Sequence, residues 1–168
     1  MKNIVIVILI FVLGVLGYLL FVSYETPKRN PTTEESTNTG QTSGKTIDLS
    51  NTNLSKVPID ILDDSSVITF DVSGNNLTGA LPGEIRKLTS LEVLIADDNK
   101  MTGIPAEIGQ LSKLRTANFA NNNISGLPLE IGNLKNLETL DLRGNPNVST
   151  NDINKIQSKI PNAKILTD

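Results

Sequence analysis

The chain has no cysteine, no histidine and no tryptophan among its 168 residues, and aromatic side chains make up only 4% of it. Without cysteine there are no disulfides, thiolate metal sites or thiol nucleophiles. Without histidine the chain lacks the commonest general base near neutral pH and the commonest transition-metal ligand. Much ordinary catalytic and metal chemistry is therefore unavailable, and the sequence reads as a non-enzyme with no cofactor. A cationic excess is missing too: 15 Lys and Arg stand against 18 Asp and Glu, for a formal charge of −3. Nucleic-acid binding rests largely on cations that neutralise phosphates, so no nucleic acid is expected as a partner.

What remains is aliphatic and polar, and the length allows one modest folded domain with appendages. Residues 4–22 carry no charge and are Ile, Val, Leu and Phe, broken only by Gly14, Gly17 and Tyr18. At helical rise such a run reaches about 28 Å, close to the ~30 Å hydrocarbon thickness of a bilayer. Residues 1–24 are thus expected to form a transmembrane signal-anchor helix, with residues 4–22 meeting the lipid bilayer. The alternative is a cleaved signal peptide, whose apolar core is usually about 7–15 residues long. Cleavage after the small residues Val15 or Gly17 would leave Leu19, Leu20, Phe21 and Val22 on the mature chain, which favours the anchor. Lys2 and the amino terminus on one side nearly balance Lys28 and Arg29 on the other. A short N-terminus before such a run commonly stays in the cytosol, so a single-pass membrane protein with its C-terminal domain extracytoplasmic is the expectation.

Residues 25–44 are rich in Thr, Ser, Asn, Glu and Pro and hold no apolar side chain able to nucleate a core, which predicts a disordered linker. Gly40, Gly44, Lys45 and Thr46 imitate a phosphate loop. That loop needs four residues between its glycines, and three stand here, with a strand-like segment following instead of a helix.

From Gly44 onward the sequence repeats. Segments starting at Gly44, Val67, Leu91, Leu114 and Leu137 are spaced 23, 24, 23 and 23 residues apart. Apolar residues recur at fixed places: Val67, Phe70, Val72 and Leu77; Leu91, Leu94, Ala96 and Met101; Leu114, Ala117, Phe119 and Ile124. Ile47, Leu49 and Leu54 keep the pattern in the first segment, and Leu137, Leu140 and Leu142 in the last, where Asn147 stands in an apolar place. Such a period signals stacked units that share one core. The stretches TFDVSGNNL, VLIADDNKM, TANFANNNI and TLDLRGNPN, with LPGEIRKL, IPAEIGQL and LPLEIGNL between them, resemble the leucine-rich-repeat family over residues 46–165. They fit its 23-residue class, and residues 77–82 (LTGALP) look like the 24-residue plant-type variant.

That resemblance implies an α/β fold, a right-handed solenoid of about five repeats over residues 45–148 with a parallel sheet on its concave face. Residues 149–168 are expected to form a capping helix and final strand, because Ile153, Ile156 and Ile160 fall at helical spacing before Pro161 and AKIL. Asn75, Asn99, Asn122 and Asn145 form the expected asparagine ladder, with Thr52 in that place in the first repeat. Pro58, Pro82, Pro105 and Pro128 pre-set the turn into a short helix. Ile61, Ile85, Ile108 and Ile131, with Leu62, Leu88, Leu111 and Leu134, should bury it. At the other end no cap is visible, and the edge of the first strand is expected to be blunted by Lys45 and Asp48.

Strand alternation sends every second side chain to solvent on the concave face. The residues expected to contact a partner there are Asp48, Thr69, Asp71, Val93, Ile95, Asp97, Thr116, Asn118, Thr139, Asp141 and Arg143. Ala120 is also expected to face solvent. Val93 and Ile95 form a small apolar centre among carboxylates, which suits a polar or basic peptide. The resulting expectation is a membrane-anchored module that binds a protein or peptide; the alternative is a structural or adhesive surface spacer without a specific ligand. Asp97 and Asp98 adjoin, but neighbouring strand-end side chains should diverge. Asn53, Asn76, Asn123 and Asn147 begin Asn-x-Ser/Thr triplets, most of which the repeat itself generates.

Overall fold

The computed structural model describes residues 44–168. The anchor expected at residues 1–24 and, apart from Gly44, the linker expected at residues 25–44 lie outside these described residues. Among the described residues, no helix is long and apolar enough to cross a membrane.

Every repeat contributes one short strand, and the strands line up side by side because each repeat turns through nearly the same number of residues. They are β1 (Lys45–Asp48), β2 (Val67–Asp71), β4 (Val93–Ile95), β6 (Thr116–Asn118) and β7 (Thr139–Asp141). A final strand, β8 (Lys164–Leu166), completes a six-stranded sheet in the order β1-β2-β4-β6-β7-β8, parallel throughout. The one-residue insertion in the second repeat accompanies a second, two-stranded parallel sheet, β3 (Thr78–Gly79) against β5 (Lys100–Met101). An isolated bridge between Gly103 and Gly126 carries the same line one repeat further.

Strand pairing puts Ile47, Phe70, Leu94, Ala117 and Leu140 in one row. Phe70 and Leu94 are 0% exposed and Ala117 and Leu140 1%. Val72, Ala96, Phe119 and Leu142 form a second buried row, and Leu77, Met101 and Ile124 a third. Small and large alternate where they must: Ala117 sits between Leu94 and Leu140, and Phe119 between Ala96 and Leu142. At about 1.5–3 kcal/mol for each fully buried large aliphatic or Phe side chain, one repeat cannot offset its chain entropy, whereas stacked repeats share a continuous core.

The return path is a single tight turn of 3-10 helix per repeat: Ile59–Asp63, Gly83–Lys87, Ala106–Gln110 and Leu129–Asn133. The expected prolines precede them as N-caps with φ of −63°, −62°, −71° and −67°, values that the ring already holds. Ile85, Ile108, Ile131, Leu88, Leu111 and Leu134 are buried as expected. The first repeat departs: Leu62 is fully buried, but Ile61 is only half-buried and Ile59 is exposed, because no earlier turn among the described residues covers them. Gly109 shows why the turns demand small residues, since a Cβ there would stand 2.5 Å from the Glu130 carbonyl oxygen.

The asparagine ladder is the polar counterpart of the core. The Asn122 side-chain oxygen accepts from the Met101 N–H (2.9 Å), and its amide donates to the carbonyls of Ala96 (3.0 Å) and Phe119 (3.1 Å). Asn99 likewise accepts from Leu77 and donates to Val72, and Asn145 accepts from Ile124 and donates to Phe119 and Leu142. Each therefore satisfies backbone groups of its own repeat and of the one before, groups that burial would otherwise leave unpaired. Just ahead of the ladder, Asn51, Gly74, Asp98, Asn121 and Gly144 all take positive φ, from 53° to 71°. Asn, Asp and Gly are the residues that tolerate this left-handed conformation.

At the C-terminal end the repeat gives way to α1 (Thr150–Lys159), capped by Ser149, whose side chain accepts from the Asp152 N–H. Ile156 and Ile160 bury into the core, and α1 packs on the Leu129–Asn133 turn. Lys135 ties the two together by donating to the carbonyls of Gly132 (2.8 Å) and Lys159 (3.0 Å).

Candidate binding face on the sheet

The strand register gathers the solvent-side residues into columns. One column runs Thr46, Thr69, Val93, Thr116, Thr139 and Lys164; the next runs Asp48, Asp71, Ile95, Asn118, Asp141 and Leu166. Asp97 and Arg143 lie just beyond the strands. All eleven residues expected from the sequence thus share one side of the sheet or its margin. Lys164 and Leu166 extend the face; the alternation in AKIL signalled a strand there without showing that it would join the same sheet.

Their surroundings differ more than the sequence suggests. Asp48 is exposed, and its carboxylate accepts from the Ser50 N–H, a bond that holds its pKa below the usual carboxylate value. Asp71 accepts from the N–H and hydroxyl of Ser73 at 2.8 and 2.7 Å. Neither they nor Asp97 take part in an ion pair among the described residues, whereas Asp141 does. Arg143 grips Asp141 through both Nε and Nη2, and this hydrogen bonding lowers the Asp141 pKa against the opposing effect of burial. Asp141 is 8% exposed, which corrects its expected place as a solvent-facing contact: its charge is already neutralised by a neighbour two positions on, which on an extended chain lies on the same side. Ala120 is likewise buried rather than facing solvent.

Asp97 is the opposite case. One of its carboxylate oxygens is buried without a hydrogen-bond partner. Burial raises its pKa, and the neighbouring charges of Asp98 and Asp71 raise it further. Asp98 has a structural position, with φ of 53° and its carboxylate accepting from the Asn121 amide.

Val93 and Ile95 are half-buried at the middle of this surface, with Thr69 and Asp71 on one side and Thr116 and Asn118 on the other. An apolar groove of about 240 Å³, lined by Val57, Ile59, Leu77, Leu81 and Pro82 among others, involves none of the residues of the six-stranded sheet. Among the described residues, no group of three or more Asp or Glu is placed to hold a metal ion.

Comparison with known families agrees with the repeat geometry. Residues 66–88 match the model of the Leucine Rich Repeat and residues 112–158 that of Leucine Rich repeats in two copies. The chain belongs to the leucine-rich-repeat family. Among solved structures it is similar to a leucine-rich-repeat protein of Leptospira interrogans, at 37% identity and a TM-score of 0.63, over 67% of this chain and 28% of that one. A plant peptide hormone receptor, RGFR1, solved in complex with RGF2, matches at 32% identity and a TM-score of 0.54, over 67% and 18%. The leucine-rich-repeat ectodomain of the receptor kinase SOBIR1 from Arabidopsis thaliana matches at 28% identity and a TM-score of 0.54, over 67% and 60%. The chain thus spans less than two thirds of the length of each of these relatives. No curated protein matches it in sequence.

Proposed function

We propose that this leucine-rich-repeat chain binds a protein or peptide on the solvent side of its six-stranded sheet, held at a membrane by residues 4–22 with the repeats extracytoplasmic. One observation carries the reading: on a single contiguous face, the half-buried Val93 and Ile95 adjoin Asp71 and Asp97, which have no cationic partner among the described residues. A basic side chain delivered there would gain two carboxylates, and an aliphatic neighbour would cover the two apolar residues. The receptor similar to this chain was solved with a peptide hormone partner, and a second similar structure is a receptor ectodomain, which supports a recognition role. Catalysis has no comparable support.

A displayed library of short peptides, selected on the immobilised full chain, tests the reading. It should yield sequences that combine Lys or Arg with an aliphatic residue. Asp71→Lys together with Asp97→Lys should weaken their binding by at least about a hundredfold, on the tenfold-per-1.4 kcal/mol scale. Selection of nothing, or of peptides indifferent to both substitutions, would favour a surface spacer without a ligand.

A further inference from the structure

The second repeat is one residue longer than the first at the same place: Thr78, Gly79 and Ala80 stand between Leu77 and Leu81, where only Ser55 and Lys56 stand between Leu54 and Val57. The longer loop pairs forward, as β3 against β5, and the Gly103–Gly126 bridge joins the next two repeats along the same line. No such pairing joins the first repeat to the second among the described residues, and the apolar groove opens there. The carbonyls of Leu77 and Gly79 accept from the N–H groups of Lys100 (2.9 Å) and Thr102 (2.8 Å), so these two residues turn toward β5. By the alternation of a parallel ladder, Asn76 and Thr78 turn toward the first repeat. Asn76 donates to the Leu54 carbonyl (2.8 Å), whereas the main-chain N–H and C=O of Thr78 have no partner on that side among the described residues.

The groove's volume of about 240 Å³ lies below the ~300–1,000 Å³ of small-molecule sites and suits side chains of a peptide. Its walls are apolar: Val57 and Leu81 are buried, while Ile59 is 59% exposed, more than any other large hydrophobic residue among those described. The only charged residue lining it is Lys56, which is exposed and in no ion pair among the described residues. The preceding chain offers no cover of matching chemistry. Residues 25–43 contain no aliphatic or aromatic side chain for the walls, and residues 4–22 carry no charge for Lys56.

We propose that this groove is a second binding site, separate from the sheet face, for an extended segment of a partner protein in which an aliphatic residue adjoins an acidic one. The segment adds as a strand beside β3 and exchanges main-chain hydrogen bonds with Thr78. Neighbouring side chains of an extended chain point to opposite sides. The groove's own wall shows that alternation, with Val57 buried and Lys56 exposed. A segment lying alongside follows it: the aliphatic side chain turns inward against Val57 and Leu81, the acidic one turns outward to Lys56, and Ile59 closes over the aliphatic residue.

The test selects displayed peptides that alternate Asp or Glu with Val, Ile or Leu, beside a matched set with Lys or Arg for each acid, on the immobilised full chain in detergent micelles. The proposal expects the acidic set to be enriched at least about tenfold over the basic set on this groove. Lys56→Glu, Ile59→Ser and Thr78→Pro should each weaken a selected acidic peptide by at least about tenfold, and Lys56→Glu should reverse the preference toward the basic counterpart. Lys113→Glu, the same charge reversal at an exposed lysine of a later repeat, should change nothing. All these positions are exposed, and proline at Thr78 removes only an unpaired N–H, so circular dichroism should show the parent fold. If Thr78→Pro unfolds, the other two variants decide. Acidic peptides that bind but ignore Lys56→Glu and Ile59→Ser would overturn the proposal. So would the absence of acidic binders, whether the groove is filled by residues of the same chain or by a second copy, which sedimentation would show as a dimer.

Discussion

Replacing Asn122 by alanine probes the polar ladder where it is most enclosed. Asn122 is 4% exposed, and the Met101 N–H that it accepts from has no other protein acceptor among the bonds described. Its carbonyl partners fare differently: Phe119 keeps the Asn145 amide at 2.9 Å, Ala120 keeps the Asp98 N–H at 3.0 Å, and Ala96 retains only the Asn99 amide at 3.3 Å. The substitution therefore orphans one buried donor outright, weakens one carbonyl and leaves a small polar void. At about 1–3 kcal/mol for an unsatisfied buried group, the expected loss is about 2–4 kcal/mol, a large share of a typical domain stability of ~5–15 kcal/mol. Asn75→Ala should cost about 1 kcal/mol, because the Thr52 and Leu54 N–H groups it serves are exposed or half-exposed and water can replace it. Urea unfolding of the two variants beside the parent chain measures both. Equal losses at the two positions, or a loss under about 0.5 kcal/mol at Asn122, would refute the assignment of the ladder as the satisfier of buried backbone.

Further outcomes follow from other contacts. Gly109→Ala should lower stability by about 1–3 kcal/mol, because its Cβ would meet the Glu130 backbone and only a shift of the stacked turn can make room; urea titration reads it. Arg143→Ala should unfold at lower urea than the parent at pH 7, and this difference should shrink as the pH falls below the ordinary carboxylate range. The sign follows from the lowered pKa of Asp141: stabilisation by the pair is present above the ordinary carboxylate pKa and is lost on acidification, when Asp141 protonates. Asp97→Asn should behave in reverse. The raised pKa means that ionised Asp97 opposes folding at neutral pH, so the variant should unfold at higher urea than the parent at pH 7 and at the same urea near pH 3, where Asp97 is protonated.

The repeat period, the buried rows and the asparagine ladder were legible in the sequence because each rests on a residue's own repeat and its immediate neighbours. Phe70, Leu94 and Leu140 fall in register for the same reason that they recur at 23- and 24-residue intervals. The left-handed Asn51, Asp98 and Asn121 were visible as residue types but not as a conformation, since only the turn geometry requires positive φ there. The second sheet formed by β3 and β5 was half-legible: the LTGALP variant marked the place, but the pairing depends on where the next repeat puts Lys100 and Met101. Burial of Ile61 was overestimated because periodicity assigns every repeat the same environment, whereas the first repeat has no repeat in front of it among the described residues.

On the candidate face, the strand register sets the alternating residues in shared columns, with Asp141 buried among them. What alternation could not weigh was charge. Asp71, Asp97 and Asp141 look equivalent in sequence, yet one is bonded to serine, one has a buried unpaired oxygen and one is held by arginine. The Arg143 partnership could have been found from its spacing of two on an extended strand, whereas the Asp97 environment depends on Asp71 from the adjoining repeat and on Asp98.

The most direct test of the central claim compares equilibrium binding of a selected basic peptide to the full chain and to three charge reversals, Asp71→Lys, Asp97→Lys and Asp60→Lys, the last on the far side of the repeat. Losses of about tenfold or more at each of the first two, with Asp60→Lys unchanged, are the expected result. Equal affinity in all four proteins, or a loss confined to Asp60→Lys, would contradict recognition on the sheet face.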